Sequence, residues 1–214
     1  VPLRDDAEVV MIMGLPGAGK STLTDTFVAE GYSRLNRDEA GGSLRELSLD
    51  LERALASGAR KIVLDNTYVS RKSRAEVLQA AAAHRVPVRC VWLSTSIEDA
   101  QVNAARRLLE RYGRLPSDQD LAALRKTDVA AFLPTVQFRY QRELEPPDAR
   151  EGFAAIEERP FVRLPRAGRD NRAVIVWIDD QVIDGALVEL LRRHRDEGYL
   201  ILGLSWQPGV AEGT

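Results

Sequence analysis

The sequence is poor in the residues that form disulfides and metal centres. Its 214 residues include one cysteine, Cys90, and two histidines, His84 and His194. A single cysteine excludes a disulfide framework, and the apolar segment 88–93 around Cys90 is typical of a buried strand. One cysteine and two distant histidines cannot supply a zinc site with the usual ligand spacing.

Long apolar segments and a strong net charge are also missing. No run of about eighteen or more apolar residues occurs, and no charged segment followed by an apolar one opens the chain. We therefore expect no membrane span and no secretory signal, and hence a cytoplasmic location. The formal net charge is −2, whereas many nucleic-acid-binding proteins are basic. Binding to nucleic acid would thus depend on a local cluster of arginines.

Short apolar segments alternate with longer segments of helical period. Strands are predicted near residues 8–13, 32–35, 61–65, 87–94 and 153–157, with helices between them. A further helix is predicted over 118–131, closed by Pro134. This alternation predicts an α/β fold with a parallel sheet and helices on both faces.

The alternation ends after Phe161. We assign residues 1–162 to the first domain and the segment 163–172, which contains Pro165, Gly168 and four arginines, to a linker. Residues 173–214 contain two apolar segments around a helix near 186–195, which predicts a βαβ unit. A unit of this size is small for an independent domain, so we expect it to dock, to dimerise or to be marginally stable.

A glycine-rich segment follows the first predicted strand and precedes a helix. Residues 14–22 read GLPGAGKST and match the Walker A pattern at every required position. Glycines let backbone N–H groups face phosphate oxygens, and the helix dipole adds to their attraction. We call residues 14–21 the P-loop and predict a P-loop NTPase-type fold. The predicted ATP-binding residues are Gly14, Pro16, Gly17, Ala18, Gly19, Lys20, Ser21 and Thr22.

Two P-loop residues carry specific chemistry. Lys20 is predicted to bridge the β- and γ-phosphates as a catalytic cation, and the Ser21 hydroxyl is predicted to bind Mg²⁺. The same loop serves GTPases, motors and kinases of many small molecules, so it does not identify the acceptor of the phosphate.

Polar residues follow the second and third predicted strands, at the sheet edge where doubly wound folds bind ligands. Asp38 could accept the proton of an attacking hydroxyl and Arg37 could hold an acceptor phosphate; a solvated turn is the alternative. Asp65 could bind Mg²⁺ through water or, with Asn66, bind the acceptor; helix capping is the alternative.

Basic residues cluster around the end of the predicted helix after the fourth strand. A solvated helix face explains such a cluster, and so does a lid that closes over the γ-phosphate. The cluster consists of four arginines, Arg106, Arg107, Arg111 and Arg114, with the uncharged Asn103 before them.

Together these segments resemble the kinase domain of polynucleotide kinase 3′-phosphatases. The resemblance spans the first domain, with its segments in the family's order. It implies a kinase that transfers the γ-phosphate of ATP, with Mg²⁺, to the 5′-hydroxyl end of DNA or RNA. The segments are GLPGAGKST at 14–22, GYSRLNRDEAGG at 31–42, LDNTYVSRKSR at 64–74, IEDAQVNAARR at 97–107 and EGFAAIEERPF at 151–161.

The resemblance also implies roles for single residues. Asp38 matches the family's general base, and Arg106 is the best match to a lid arginine that reaches the ATP phosphates, with Arg107 its neighbour. Ala105 stands where members often carry a basic residue. The residues implied to contact the acceptor are Arg37, Asp65, Asn66 and Arg74.

Residues 173–213 resemble the opening of a haloacid-dehalogenase-type phosphatase domain. LSWQPGV at 204–210 is similar to its second motif, whereas WIDDQ at 177–181 stands where the first motif reads DxDGT. Trp177 therefore occupies the place of the aspartate nucleophile, and indole has no group suited to attack phosphorus. The later lysine and acidic motifs are absent from the sequence. We expect this segment to be a truncated, inactive remnant.

Two other functions are compatible with the sequence. A P-loop kinase of a small metabolite or nucleotide sugar, in the group that includes zeta-toxin-like enzymes, would explain the slightly acidic charge. A non-catalytic NTP-binding module is the second. Nothing in the sequence distinguishes DNA from RNA, single strands from duplex ends, or one oligomeric state from another.

Overall fold

The structure is a computed structural model that describes residues 6–36, 44–124, 128, 131–132, 134–163, 172–177 and 184–204. The chain divides into two compact units, Val1–Phe161 and Val162–Thr214. Arg37 and Asp38 lie outside the described residues, as do most of the two phosphatase-like motifs. Among the described residues, no helix is both long enough and apolar enough to cross a membrane.

The first unit is a five-stranded parallel sheet with helices around it. The strand order is β2-β3-β1-β4-β5, and every neighbouring pair is parallel. This arrangement confirms the predicted α/β fold. In chain order the elements are β1 (Glu8–Gly14), α1 (Lys20–Ala29), β2 (Ser33–Leu35), α2 (Leu44–Ala56), β3 (Lys61–Asp65), α3 (Arg71–Ala83), β4 (Val88–Leu93), α4 (Ile97–Tyr112), α5 (Asp118–Leu124), α6 (Pro134–Glu143), a 3₁₀ helix (Ala149–Glu151) and β5 (Ala155–Arg159).

The central strand β1 is buried on both faces of the sheet. Val9 and Met11 belong to the cluster that α2 and α3 cover, whereas Val10 and Ile12 pack with Phe27 of α1. Because helices cover both faces, β1 is apolar at successive positions rather than at alternate ones. The carboxyl end of this rigid strand is where the P-loop begins.

Cys90 lies on β4 and is fully buried. Burial raises the pKa of its thiol to about 12, so the thiol is neutral and unreactive at physiological pH. This confirms the predicted buried strand cysteine.

The region after α4 differs from the single helix predicted over 118–131. Helix α5 ends at Leu124, and Asp128 is not helical. Pro134 does not close a helix but begins α6. Proline is favoured in a first helical turn, because the N–H it lacks would have no partner within the helix there. The prediction was therefore wrong about α6, a helix that contacts the P-loop.

Arg74 of α3 is a buried brace between three segments. Its Nε and Nη2 atoms donate to the Glu151 carboxylate, both at 2.7 Å. Its Nη1 atom donates to the carbonyls of Glu145 at 2.9 Å and Tyr68 at 3.1 Å. Arg74 is 0% exposed, and each of its guanidinium nitrogens serves the fold. This corrects the predicted contact between Arg74 and an acceptor strand.

The Glu151 carboxylate is charged within this brace. Burial raises its pKa, but the hydrogen bonds from Arg74 and from the backbone of Asp148 outweigh burial, so the pKa lies below its usual range. A lowered folded-state pKa means that the brace stabilises the protein above the unfolded-state pKa of glutamate. Its contribution is lost as the pH falls through the lowered value.

The second unit is a βαβ unit. Its elements are β6 (Arg172–Trp177), α7 (Gly185–Asp196) and β7 (Tyr199–Leu204), and the two strands are parallel. Asp184 caps α7 by accepting a hydrogen bond from the backbone N–H of Leu187 at 2.8 Å. These elements occur where the sequence predicts them, while the phosphatase-like nature of the segment stays a prediction.

We expect Arg74→Met to lower the free energy of unfolding by about 3–5 kcal/mol, because it leaves the Glu151 carboxylate buried without its partner. Urea denaturation at neutral pH measures this loss. The loss should shrink in acid, where protonation removes the unpaired charge. Lys72→Met, an exposed position on the same helix, is the control, with a change within about 0.5 kcal/mol. Equal stability of the two variants would rule out the brace.

Candidate nucleotide-binding site

The P-loop connects the carboxyl end of β1 to the first turn of α1. Gly14 ends the strand, and its N–H donates to the carbonyl of Thr67, just beyond β3, at 3.3 Å. Gly19 is the N-cap of α1, with a φ of 97° that glycine adopts readily. The loop thus delivers the chain directly to a helix N-terminus, a place that favours anions.

Lys20 bonds back to the start of the P-loop. Its ammonium Nζ donates to the carbonyls of Gly14 and Leu15, both at 3.0 Å. The loop is shaped so that the ammonium lies against two of its own carbonyl oxygens. The lysine is therefore held at the loop before any phosphate is bound.

The next three carbonyls of the loop also accept hydrogen bonds from side chains. The donors are Thr95 from the loop after β4, Asn103 from α4 and Gln137 from α6; we call these three residues the loop clamp. Gln137 Nε2 bonds the Pro16 carbonyl at 2.8 Å, Asn103 Nδ2 bonds that of Gly17 at 3.0 Å, and Thr95 Oγ1 bonds that of Ala18 at 3.2 Å.

These contacts determine which way the loop's peptides face. In a planar trans peptide the C=O and the N–H of the next residue point in opposite directions. Carbonyls bonded by the clamp therefore direct the following amides, those of residues 17–19, away from the clamp. The Ala18 N–H donates to the Leu15 carbonyl at 3.0 Å within the loop. Amides that converge beside a helix N-terminus are the donors that bind phosphate.

Gly17 and Gly19 face different surroundings. A Cβ atom added to Gly17 would lie 2.3 Å from the carbonyl oxygen of Ala100 in α4, whereas one added to Gly19 would meet nothing within 4 Å. The loop is thus packed tightly against α4 at Gly17 and open at Gly19. The open side is where the structure has room for phosphate.

A buried ion pair lies at the end of β3, beside β1. Asp65 is 3% exposed, and its Oδ2 accepts from Arg34 Nη2 at 2.6 Å and from Asn36 Nδ2 at 3.2 Å. Asp65 pairs with Ile12 of β1 in the sheet register, two residues before the P-loop begins. Asp65 is not a helix cap, because Ser70 caps α3.

Asn66 follows Asp65 and is also buried. Its Nδ2 donates to the Tyr68 hydroxyl at 3.3 Å. Asp65 and Asn66 are therefore brought together at the sheet edge that carries the P-loop, with their side chains held by Arg34 and Tyr68.

Helix α4 places Arg106 and Arg107 on different faces. Arg107 follows the clamp residue Asn103 by four positions, about 6 Å along the same helix face. It is half-buried, with its guanidinium 5.6 Å from the centre of the Phe132 ring, and burial lowers its pKa. Arg106 is exposed and bonds Glu110 at 2.8 Å. Arg107 therefore lies on the helix face that also bears Asn103, and the choice between the two arginines stays a prediction.

The site fits a nucleotide with its metal ion. Ser21 and Thr22 are exposed in the first turn of α1, where a hydroxyl can reach a bound ion. Within the described ranges, no cluster of three or more histidine, cysteine, aspartate or glutamate side chains could hold a metal by itself. A divalent ion bound here would take part of its ligands from the nucleotide phosphates.

A family model described as an AAA domain matches residues 9–131, more than half of the chain. The chain belongs to this AAA domain family. It is 29% identical over 156 residues to the bifunctional polynucleotide phosphatase/kinase of Schizosaccharomyces pombe. That match covers 72% of this chain and 34% of the relative, so the chain spans about a third of the relative's length. The resemblance inferred from the motifs is thus confirmed.

Two solved structures with the same fold align with most of this chain and with most of their own chains. A fungal RNA kinase has a TM-score of 0.53 and 13% identity, covering 75% of this chain and 78% of its own. Chaetomium thermophilum Kti12, in complex with ADP-AlF3, has a TM-score of 0.50 and 16% identity, covering 89% and 98%. At these identities the likeness is one of fold, and it confirms the predicted P-loop architecture.

Three residues of the site are not among the predicted ones: Arg34, Thr95 and Gln137. Arg34 lies on the short strand β2, and Gln137 lies beyond the residues that match the AAA domain family. Of the three, only Thr95 has a feature in the sequence that could indicate a site residue, because it is a hydroxyl residue just before the cap of α4. Gln137 and its acceptor Pro16 are 121 positions apart in the sequence, so no local sequence pattern could predict their contact.

We expect Gly17→Ala to weaken ATP binding by at least about tenfold, because the new methyl group collides with the Ala100 carbonyl and pushes the loop from α4. Gly31→Ala is the matched control. Gly31 has a φ of 89° against 88° for Gly17, but a Cβ there meets nothing within 4 Å. Both variants carry the strain of a left-handed residue, about 1–2 kcal/mol. Calorimetric titration with ATP should separate them; equal affinities would contradict the close packing.

Proposed function

We propose that the chain is an ATP-dependent phosphotransferase of the P-loop kinase type. The observation that carries the proposal is the P-loop itself, in which a side chain bonds each carbonyl of residues 14–18. A glycine-rich turn that only joined a strand to a helix would not need donors from three separate segments. The Schizosaccharomyces pombe relative, named as a phosphatase/kinase, supports the same class of reaction.

The acceptor we propose is the 5′-hydroxyl end of a nucleic acid. Support comes from the segments around Asp38, Asp65 and Arg107, which resemble polynucleotide kinases, and from the name of the S. pombe relative. The fungal RNA kinase of similar fold is named for a nucleic-acid substrate as well. Lys20 would donate to the β- and γ-phosphates, so that its charge opposes the charge of the transferring group.

The remaining roles follow the same geometry. Asp38, which lies outside the described residues, would accept the proton of the attacking hydroxyl, and Arg37 would hold an acceptor phosphate. Asp65, fixed by Arg34, would bind the acceptor or a water on the metal ion, and Asn66 would bind the acceptor. Mg²⁺, held through the Ser21 hydroxyl, would neutralise phosphate charge.

Arg107 is our proposed lid arginine, with Arg106 its less favoured neighbour. Arg107 shares a helix face with Asn103, which bonds the loop, whereas Arg106 pairs with Glu110 in solvent. For residues 173–214, we propose an inactive phosphatase-like remnant, because Trp177 stands at the position of the nucleophile.

The slightly acidic chain, with a net charge of −2 and a pI of about 5.8, favours a second candidate, a kinase of a small metabolite. A non-catalytic NTP-binding module is the third. All three would bind ATP, but only the first would pass its phosphate to an oligonucleotide. The acceptor must therefore be tested directly.

We expect the protein to transfer labelled γ-phosphate from ATP to 5′-hydroxyl oligonucleotides of DNA or RNA, and Lys20→Ala to abolish transfer. Loss of the ammonium leaves the charge on the transferring group without its cation. The panel should include 5′-phosphorylated oligonucleotides, nucleosides and sugars as acceptors, with Lys72→Ala as the control variant. Transfer only to a small molecule would support the metabolite kinase, and ATP binding without any transfer would support the binding module.

We expect Arg107→Ala to lower kcat by about 10²-fold or more, as removal of a donor to transition-state charge does. Arg106→Ala should cost at least tenfold less, because its side chain lies on the other face of α4. Steady-state kinetics with the best acceptor measures both. A larger loss of kcat in Arg106→Ala than in Arg107→Ala would contradict our proposal and favour Arg106, as the sequence predicts.

A further inference from the structure

Gln137 occupies an unusual position for a polar side chain. It lies on α6 and is 1% exposed, among the largest buried side chains of the described residues. Burying an amide is unfavourable unless its polar atoms are bonded. Its Nε2 is bonded to one acceptor in the P-loop, the Pro16 carbonyl at 2.8 Å. A polar donor is therefore retained in a place where an apolar residue would pack without that cost.

We propose that Gln137 is a positioning residue for nucleotide binding. It holds the Pro16–Gly17 peptide so that the Pro16 carbonyl points away from the nucleotide. The inference rests on the proposed function, since it assigns a role in ATP binding to a residue outside the matched family segment. Asn103 and Thr95 hold the next two peptides in the same way. Gln137 does not contact the reacting atoms; it acts through the loop.

The physical reason lies in the ease with which a peptide plane can turn over next to glycine. Gly17 has a φ of 88°, and glycine populates both signs of φ about equally. A turned-over Pro16–Gly17 peptide would present its carbonyl oxygen, not its N–H, to a bound phosphate, which would repel it. An external donor to Pro16 stabilises the productive orientation and leaves the alternative carbonyl without that bond.

The clamp donors differ from Lys20 in where they lie. Lys20 is the residue that reaches toward phosphates, and because an ammonium has three N–H donors, a bond to a phosphate does not require it to release the carbonyls of Gly14 and Leu15. The clamp donors approach from α4, α6 and the loop before α4, on the side opposite the directed amides. They can therefore remain bonded throughout.

Gln137→Glu provides a sharp test, because a carboxylate cannot donate to a carbonyl whereas a protonated carboxyl can. Burial raises the pKa of a carboxyl, so the replacement should be protonated in mild acid. We expect the Kd for ATP with Mg²⁺ to rise about tenfold or more at pH 8, and to return toward the wild-type value as the pH falls. Isothermal titration calorimetry of the full chain measures this.

Gln141→Glu is the matched control, one helical turn further along α6 and exposed. Its Kd should follow that of the wild-type protein at each pH, which corrects for the protonation of ATP itself. A Gln137→Glu profile that runs parallel to the control would overturn the proposal. If the wild-type protein does not bind ATP, the proposed function is overturned, and the inference with it.

Gln137→Met tests the same idea without a buried charge. Methionine has a similar length but no donor, and as an apolar residue it suits the buried site. We expect weaker ATP binding by about tenfold, with no recovery in acid, and an unfolding midpoint in urea no lower than that of the wild-type protein. A folded Gln137→Met protein that binds ATP with wild-type affinity would overturn the proposal. Unfolding of both Gln137→Glu and Gln137→Met would also overturn it, because Gln137 would then be a structural residue.

Discussion

The hydrogen bonds to the P-loop carbonyls are the interaction on which the rest of the site depends. Lys20 bonds two of them, and Gln137, Asn103 and Thr95 bond the next three. Without these donors a loop of small residues could adopt several conformations, because glycine restrains its backbone weakly. With them, the peptides of the loop have fixed orientations beside the N-terminus of α1. The phosphate site thus exists before the ligand arrives, which reduces the ordering cost of binding.

Different elements of the fold position the site and stabilise the protein. The parallel sheet holds β1 and β3 in register, so that Asp65 lies near the start of the loop. Helix α4 packs against Gly17 and bears both Asn103 and Arg107, so the loop and the proposed lid arginine share one rigid element. The buried Arg74–Glu151 brace works elsewhere, tying α3 to the segment before β5. The fold and the proposed phosphate chemistry therefore depend on separate arginines, Arg74 and Arg107.

Local patterns in the sequence were sufficient to predict the sheet, the P-loop and the buried Cys90, because strand and loop signals extend over only a few residues. The features that were missed depend on distant contacts. From the sequence Pro134 is predicted to stop a helix, whereas it begins α6, the helix that bears Gln137. The motif position of Arg74 predicts a substrate contact, because motif position carries no information about burial. Arg106 and Arg107 are neighbours in sequence, and only the packing of α4 on the loop separates them.

The most direct measurement of the central claim is a crystal structure of the protein with Mg²⁺ and a non-hydrolysable ATP analogue. We predict that Lys20 Nζ lies within hydrogen-bond distance of the β- and γ-phosphates, while Gln137, Asn103 and Thr95 keep their bonds to the carbonyls of residues 16–18. Phosphates bound away from the loop, or a clamp that opens when they bind, would contradict it.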